Sequence, residues 1–185
     1  MNTTTLGEIR IKHIKKRGIR MNRDLLSARG FEGFIPIHSI INTPCKQIPN
    51  SRGIYVIYKD TFDKIKFLKE SKAGWFKNQD PTVDIEALSN KWVDGSYVLY
   101  FGKAGSLNES SSSNLRSRIK QYLDFGAGKP IGHRGGRYIW QIEGFENLLV
   151  AWLVNEELEP RQLEIEYIKE FTSHYGAKPF ANINN

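Results

Sequence analysis

Two stretches decide the fold: Gly53-Ile54-Tyr55-Val56-Ile57-Tyr58 and Tyr97-Val98-Leu99-Tyr100-Phe101-Gly102-Lys103. Each is apolar at alternate and intervening positions alike, the pattern of a strand covered on both faces. Read alone, Tyr55 and Tyr100 are core aromatics and Gly102-Lys103 is a turn. Between them, residues 59–95 form a long mixed insertion with six lysines in its first half. Its second part, from Pro81 to Trp92, predicts a short helix.

Working outward, Gly102 to Gly105 turns into a serine run, Ser110 to Ser113. A helix follows, with Leu115, Ile119, Tyr122 and Leu123 at helical spacing and Gly126 as its stop. Gly126 to Arg137 is a glycine-rich basic loop. Tyr138–Ile142 and Leu148–Val154 read as further strands, and Pro160 opens a last helix running to about Tyr175. Upstream, residues 1–30 read as a basic, weakly structured arm, and the folded domain spans 31–185 from Phe31 onward. Strands followed by helices predict an α+β domain, a small antiparallel sheet flanked by helices, with the insertion between its first two core strands.

A chain of 185 residues holds one domain with a modest extension. The only cysteine, Cys45, excludes an intramolecular disulfide and suits a reducing cytosol. Four scattered histidines with one cysteine do not suggest structural zinc. No apolar run approaches the roughly 20 residues of a membrane span, and the N-terminus lacks the apolar core of a secretory leader, so a cytoplasmic protein is expected. The net charge of +7 is unevenly placed. Residues 8–30 carry eight Lys/Arg against two acids and residues 103–137 seven against two, leaving the remainder net negative. A solvated face can look like this, but two concentrated segments fit a surface turned to a polyanion, and nucleic acid is the expected partner.

On the last helix, at about 100° per residue, Leu163, Tyr167, Ile168, Phe171 and Tyr175 cluster in one direction, with Glu164 in the middle of the stripe and Glu166 pointing away. An inward carboxylate costs several kcal/mol unless a cation or hydrogen bonds compensate, so Glu164 calls for an explanation, catalytic or as a buried Glu–Arg pair. On the preceding helix Arg116 and Arg118 flank the apolar stripe almost symmetrically, and periodicity does not choose between them.

Taken in order, these residues resemble the GIY-YIG nuclease superfamily. The match runs through Gly53-Ile54-Tyr55, then Tyr100-Phe101-Gly102-Lys103 with Phe where the family usually has Ile, then Leu115 with Arg118 three residues on and Tyr122 four further. It closes with Glu164 in LEIEYI and with Pro179 and Asn182. Residues 59–95 separate the two triplets more widely than is usual in the family.

The resemblance implies a metal-dependent DNA endonuclease with Tyr55, Tyr100, Arg118 and Glu164 as catalytic residues. Glu164 would carry Mg²⁺ or Mn²⁺, ions that need only one or two protein carboxylates beside phosphate and water. Arg118 would pair with the phosphate oxygens and Tyr100 would orient the attacking water. Tyr55 would take that water's proton, for which its pKa of about 10 must fall to about 7, roughly 4 kcal/mol of help from Lys103, Arg118 and the metal. Tyr122 packs or positions, His133 serves as a DNA contact or leaving-group acid, and Asn182 holds the last helix. Lys103, Arg116, Lys129, Arg134 and Arg137 are the expected DNA-binding residues. The chain has no room for a separate DNA-binding domain, which favours a compact restriction-type or phage-type enzyme. Cutting both strands needs a dimer or two visits, so weak or DNA-dependent homodimerisation is expected. The alternative is a non-catalytic nucleic-acid-binding module on a nuclease fold.

Overall fold

The computed structural model describes residues 20–61, 63–107, 112–133 and 135–183. Four strands form one antiparallel sheet: β1 (Glu32–Pro36), β2 (Gly53–Tyr58), β3 (Val98–Ala104) and β4 (Leu149–Val154), in the order β1-β4-β2-β3. The helices are α1 (Arg23–Ala28), α2 (Ile37–Ile40), α3 (Ile85–Lys91), α4 (Leu115–Gly126) and α5 (Pro160–Tyr175). The expected α+β class, with a small antiparallel sheet among helices, is what the chain forms.

Strand β2 is buried at every position, because both faces of the sheet carry a core. Tyr55 and Ile57 point into one core with Leu99, Tyr100, Leu115, Ile119 and Tyr122. Ile54, Val56 and Tyr58 point into the other with Leu26, Phe101, Leu163, Tyr167 and Phe171. Thus α4 covers one face and α5 the other. Each fully buried Leu, Ile or Phe contributes about 1.5–3 kcal/mol of transfer free energy, so this central strand anchors the domain from both sides.

Helix boundaries follow local chemistry. Asn114 and Ser117 form a reciprocal capping box at the start of α4. Pro160 occupies the first turn of α5, and Gly176, at φ +73, ends it in the left-handed conformation. Asp84 caps α3 by accepting from the Glu86 and Ala87 backbone N–H groups.

Three expectations are corrected. The arm expected over residues 1–30 is part of the domain at its described end: Asn22 caps α1, Leu26 is fully buried, and the Arg29 guanidinium grips Glu170 of α5 through two 2.8 Å bonds. Residues 1–19 of that arm lie outside the described residues. Residues Arg137–Gln141 make a 3-10 turn instead of a strand. Gly136 starts it at φ +72, and the buried run Tyr138 to Ile142 serves a turn as well as a strand, because a continuous apolar run carries no period. The fourth strand is instead β1, whose alternation is broken by a register shift between Gly33 and Ile35 and by Phe34 at φ +51.

The insertion does lie between β2 and β3, and it is joined to the body by hydrogen bonds. Leu68 and Lys72 donate to the carbonyls of Gln141 and Trp140, and Gly74 to that of Phe125. The buried Gln141 amide accepts from Val83 N–H and donates to the carbonyls of Leu68 and Val83. A buried amide with its donors and acceptor all used fixes one packing.

Strand β3 lies at the edge of the sheet, and the C-terminal segment covers that edge. Ala181 N–H donates to Leu99 O at 2.8 Å. The Asn182 side chain accepts from Phe101 N–H at 2.9 Å and donates to Phe101 O at 2.8 Å. It thereby acts as a one-residue strand beside Tyr100 and Gly102, holding β3 rather than the last helix. Asn182→Ala removes both bonds and should lower stability by about 1–3 kcal/mol in urea titrations. A variant indistinguishable from wild type would show that the edge needs no such partner.

Candidate functional site

The β2–β3 register sets Tyr55 opposite Gly102 and Ile57 opposite Tyr100. Tyr55 therefore lies across Gly102, and any Cβ at residue 102 would sit 2.4 Å from its Cζ and 2.6 Å from its hydroxyl. Tyr100 stands on the same face. Its ring centroid is 5.9 Å from that of Tyr55 and 5.8 Å from that of Tyr122 on α4, against which it stacks at 21°. Tyr122 is also 6.0 Å from Tyr55, so the three rings make one cluster. Helical spacing places Arg118 one turn before Tyr122.

Two glycines of the basic loop close over this cluster. A Cβ at Gly135 would lie 2.6 Å from the Tyr100 hydroxyl, and one at Gly136 would lie 3.0 Å from the Tyr100 and Tyr122 rings. Tyr122 Oη donates to the Gly136 carbonyl at 3.1 Å. The loop's glycines thus give close backbone approach to the tyrosines, a role that basic DNA-binding side chains alone do not require. Their adjacency in Gly135-Gly136, just before a buried aromatic run, was the available signal.

Burial dominates the electrostatics. Tyr55 is fully buried and its pKa is raised well above 10, chiefly by desolvation, with Tyr100 adding and Arg118 opposing. Arg118 alone does not offset the loss of water around a phenolate, and the expected fall towards 7 counts on Lys103 and a bound metal ion as well. The Tyr55 and Tyr100 hydroxyls interact electrostatically, yet Tyr55 Oη has no hydrogen-bond partner among the described residues. Tyr100, 6% exposed, is pushed up to about 12 by burial and by the charge of Glu164.

Glu164 is half-buried on the flank of α5, whose buried centre is Leu163, Tyr167 and Phe171. Its carboxyl is raised to about 7 by burial, against the opposing pull of Lys103, Arg161 and Arg118 in that order. Arg161 was not foreseen, although it lies three residues before Glu164 on the same helix. Glu166, expected to point away, is half-buried on the same helix with a shielded Oε2. Arg118 acts on Tyr55, Tyr100, His133 and Glu164 together, and its guanidinium donates to Gln121 Oε1 at 2.7 Å. Its charge is the influence these groups share.

The remaining expected residues divide. Arg116 is partly committed to the fold: Nε donates to Ile48 O at 2.7 Å and Nη2 to Lys46 O at 2.9 Å, fixing the turn before β2. Arg118 is the arginine of α4 whose charge acts on the tyrosines. His133 is 1% exposed, 5.0 Å from the Tyr122 ring, with both ring nitrogens lacking partners among the described residues. Burial, reinforced by Arg118, lowers its pKa to about 3, so it is a neutral core ring rather than a leaving-group acid or surface contact. Lys129 is exposed and bonded to Asp124 at 2.8 Å, and Arg137 is half-buried with its guanidinium 5.7 Å from the Tyr138 ring. Lys103 is half-buried and acts on Glu164. Arg134 lies outside the described residues.

Among the described residues no three His, Cys, Asp or Glu side chains converge as a metal cluster. One hard carboxylate oxygen at Glu164, ringed by cations, fits a divalent ion only where phosphate oxygens and water complete the shell. No helix among the described residues is long and apolar enough to cross a membrane. No protein-family model, curated protein or solved structure matches the chain.

The Glu164 shift gives a stability prediction. A carboxyl raised from 4.5 to about 7 by folding stabilises the fold below pH 4.5, and that contribution is lost as pH rises through 7. In chelator at pH 8, Glu164→Gln should therefore be more stable than wild type by roughly 1–3 kcal/mol, discounted for partial exposure. The gap should close below about pH 5. A variant that is less stable at pH 8 would show that the carboxylate is held by an ion pair instead.

Proposed function

We propose that the protein is a metal-dependent DNA endonuclease of the GIY-YIG type, hydrolysing phosphodiester bonds. The observation that carries this reading is the buried Tyr55–Tyr100–Tyr122 ring cluster together with the charge of Arg118, which acts on Tyr55, Tyr100 and Glu164 from separate stretches of chain. A structural pair needs one arginine and one acid. It gives no reason to bury tyrosine hydroxyls beside them.

Chemically, Glu164 is the member of the four that changes charge near neutral pH. It would hold Mg²⁺ or Mn²⁺ jointly with the substrate phosphate. The bound ion would supply Lewis-acid polarisation of the phosphate and a lowered pKa for coordinated water. Arg118 pairs with non-bridging oxygens through its planar fork and offsets their charge. Tyr100, held protonated, orients the attacking water by hydrogen bond. Tyr55 is fully enclosed and positions Tyr100 through its ring contact, and the attacking water would give up its proton to solvent. Asn182 fixes Phe101 and with it the neighbouring Tyr100 and Gly102. Lys103 and Lys129 add positive potential towards DNA. We propose a restriction-type or phage-type enzyme that cuts both strands through a DNA-dependent homodimer or in two visits.

One observation favours a second reading, a non-catalytic nucleic-acid-binding module: Tyr55 has no access to solvent. Plasmid cleavage with Mg²⁺, with and without EDTA, separates the two. Wild type should nick or linearise the plasmid, and Glu164→Ala should lower the rate at least about a hundredfold, the scale of losing one transition-state contact. Salt-dependent binding by both proteins with no cleavage by either supports the binding module.

A further inference from the structure

The insertion carries an exposed aromatic side chain that belongs to neither core. Trp75 is 59% exposed, more than any other large hydrophobic side chain among the described residues. It sits on a tight hairpin. Phe76 and Gln79 pair antiparallel, Gln79 N–H donates to Phe76 O at 3.1 Å, and Lys77 and Asn78 occupy the turn at φ +51 and +56. A two-residue turn with both central residues left-handed matches the twist of a hairpin, but it usually has glycine or asparagine at both places. Lysine at the first is strained, and strain retained at an exposed tip points to use.

The hairpin is fixed to the body. Gly74 N–H donates to Phe125 O at 2.8 Å, and a Cβ at Gly74 would lie 1.9 Å from the Lys129 carbonyl oxygen. Gly132 backs the Phe76 ring, where a Cβ would come within 2.9 Å. Residue 133, the next in the chain, packs its ring on Tyr122 of the candidate site. The tip is therefore carried by the same glycine loop that closes over Tyr100.

The surroundings of Trp75 select the partner. Lys72 and Lys77 are exposed on the same short segment and Lys129 on the loop behind it, with Lys77 Nζ 5.5 Å from the Phe76 ring centroid. Asp80, on the return limb, is exposed, and its carboxylate accepts from Thr82 N–H at 2.8 Å. A protein-docking patch needs contiguous apolar surface, whereas Trp75 is followed beyond Phe76 by Lys77, Asn78, Gln79 and Asp80, all exposed. An exposed indole among lysines is the combination that binds nucleic acid, with cations on phosphates and a flat ring on a base.

We propose that the Trp75 hairpin is a stacking contact for an unpaired or unstacked base of the bound nucleic acid, an inference that rests on the nucleic-acid reading of the site. The full chain is tested in EDTA, so that binding is read without cleavage, using a fluorescein-labelled single-stranded oligonucleotide and the matching duplex at low salt. Trp140 and Trp152 are buried and Trp92 half-buried, so Trp75 dominates the accessible indole emission. Wild-type tryptophan emission should fall on binding the single strand. Trp75→Ala should abolish that fall and weaken single-strand affinity about tenfold or more, the scale of one lost base stack. Trp75→Phe should retain most of the affinity. The duplex should respond less than the single strand to Trp75→Ala. Wild type and Trp75→Ala binding the single strand within about twofold of each other would overturn the stacking contact and leave the nuclease reading standing. If wild type binds neither DNA in a salt-dependent way, both readings fall together.

Discussion

The contact between the Tyr55 ring and the bare backbone of Gly102 constrains everything around it. It requires antiparallel pairing of β2 and β3 in one register, since a one-residue slip would carry Tyr55 to the opposite core. It requires hydrogen at residue 102, because a methyl group there would overlap the phenol ring. Once Tyr55 lies flat across the strand, Tyr100 stands beside it and Tyr122 closes the cluster from α4. The free side of β3 must then be secured, and Asn182 does so by hydrogen-bonding both polar backbone groups of Phe101. Site and fold here share one strand pair.

Burial and charge work against each other in the cluster. Desolvation raises the pKa of Tyr55, Tyr100 and Glu164 and lowers that of His133, while Arg118 favours the anionic form of the three acids and further disfavours a charged His133. Desolvation is the larger effect at each of these groups. The phenols consequently stay protonated, and the carboxyl is left poised near neutrality. An anion binding beside Arg118 and Lys103, or a cation at Glu164, would shift this balance more strongly than it would among solvated groups, because low-dielectric surroundings magnify charge.

Much of this arrangement was legible in the chain. The unbroken apolar runs at 53–58 and 97–101 announced a strand pair covered on both sides, and helical spacing located α4, ending at Gly126, and α5. Glu164 was conspicuous because a carboxylate beside Leu163 and Tyr167 breaks an apolar stripe, although the fold places it on the flank of that stripe. What escaped depends on three-dimensional neighbours. Arg116 and Arg118 are equivalent on a helical wheel; the family resemblance selects Arg118, and the bonds of Arg116 to the turn at Lys46–Ile48 are visible only in the fold. His133 looks like a loop residue until Tyr122 and Arg118 are seen against it. Strand β1 was hidden by the bulge at Gly33-Phe34, which destroys the alternation that would reveal a strand. The complete burial of Tyr55 was not legible either, because proximity of cations is visible in a motif and burial is not.

The central claim is that Arg118 and Glu164 act in one hydrolytic site. Single-turnover cleavage of a labelled DNA by Arg118→Ala, Glu164→Gln and the double variant tests it most directly. Residues acting as a unit lose their effect together, so each single change should slow cleavage by about a hundredfold or more, and the double variant should be no slower than the worse single. Near-wild-type cleavage by either single variant would contradict the account, as would losses that simply multiply in the double.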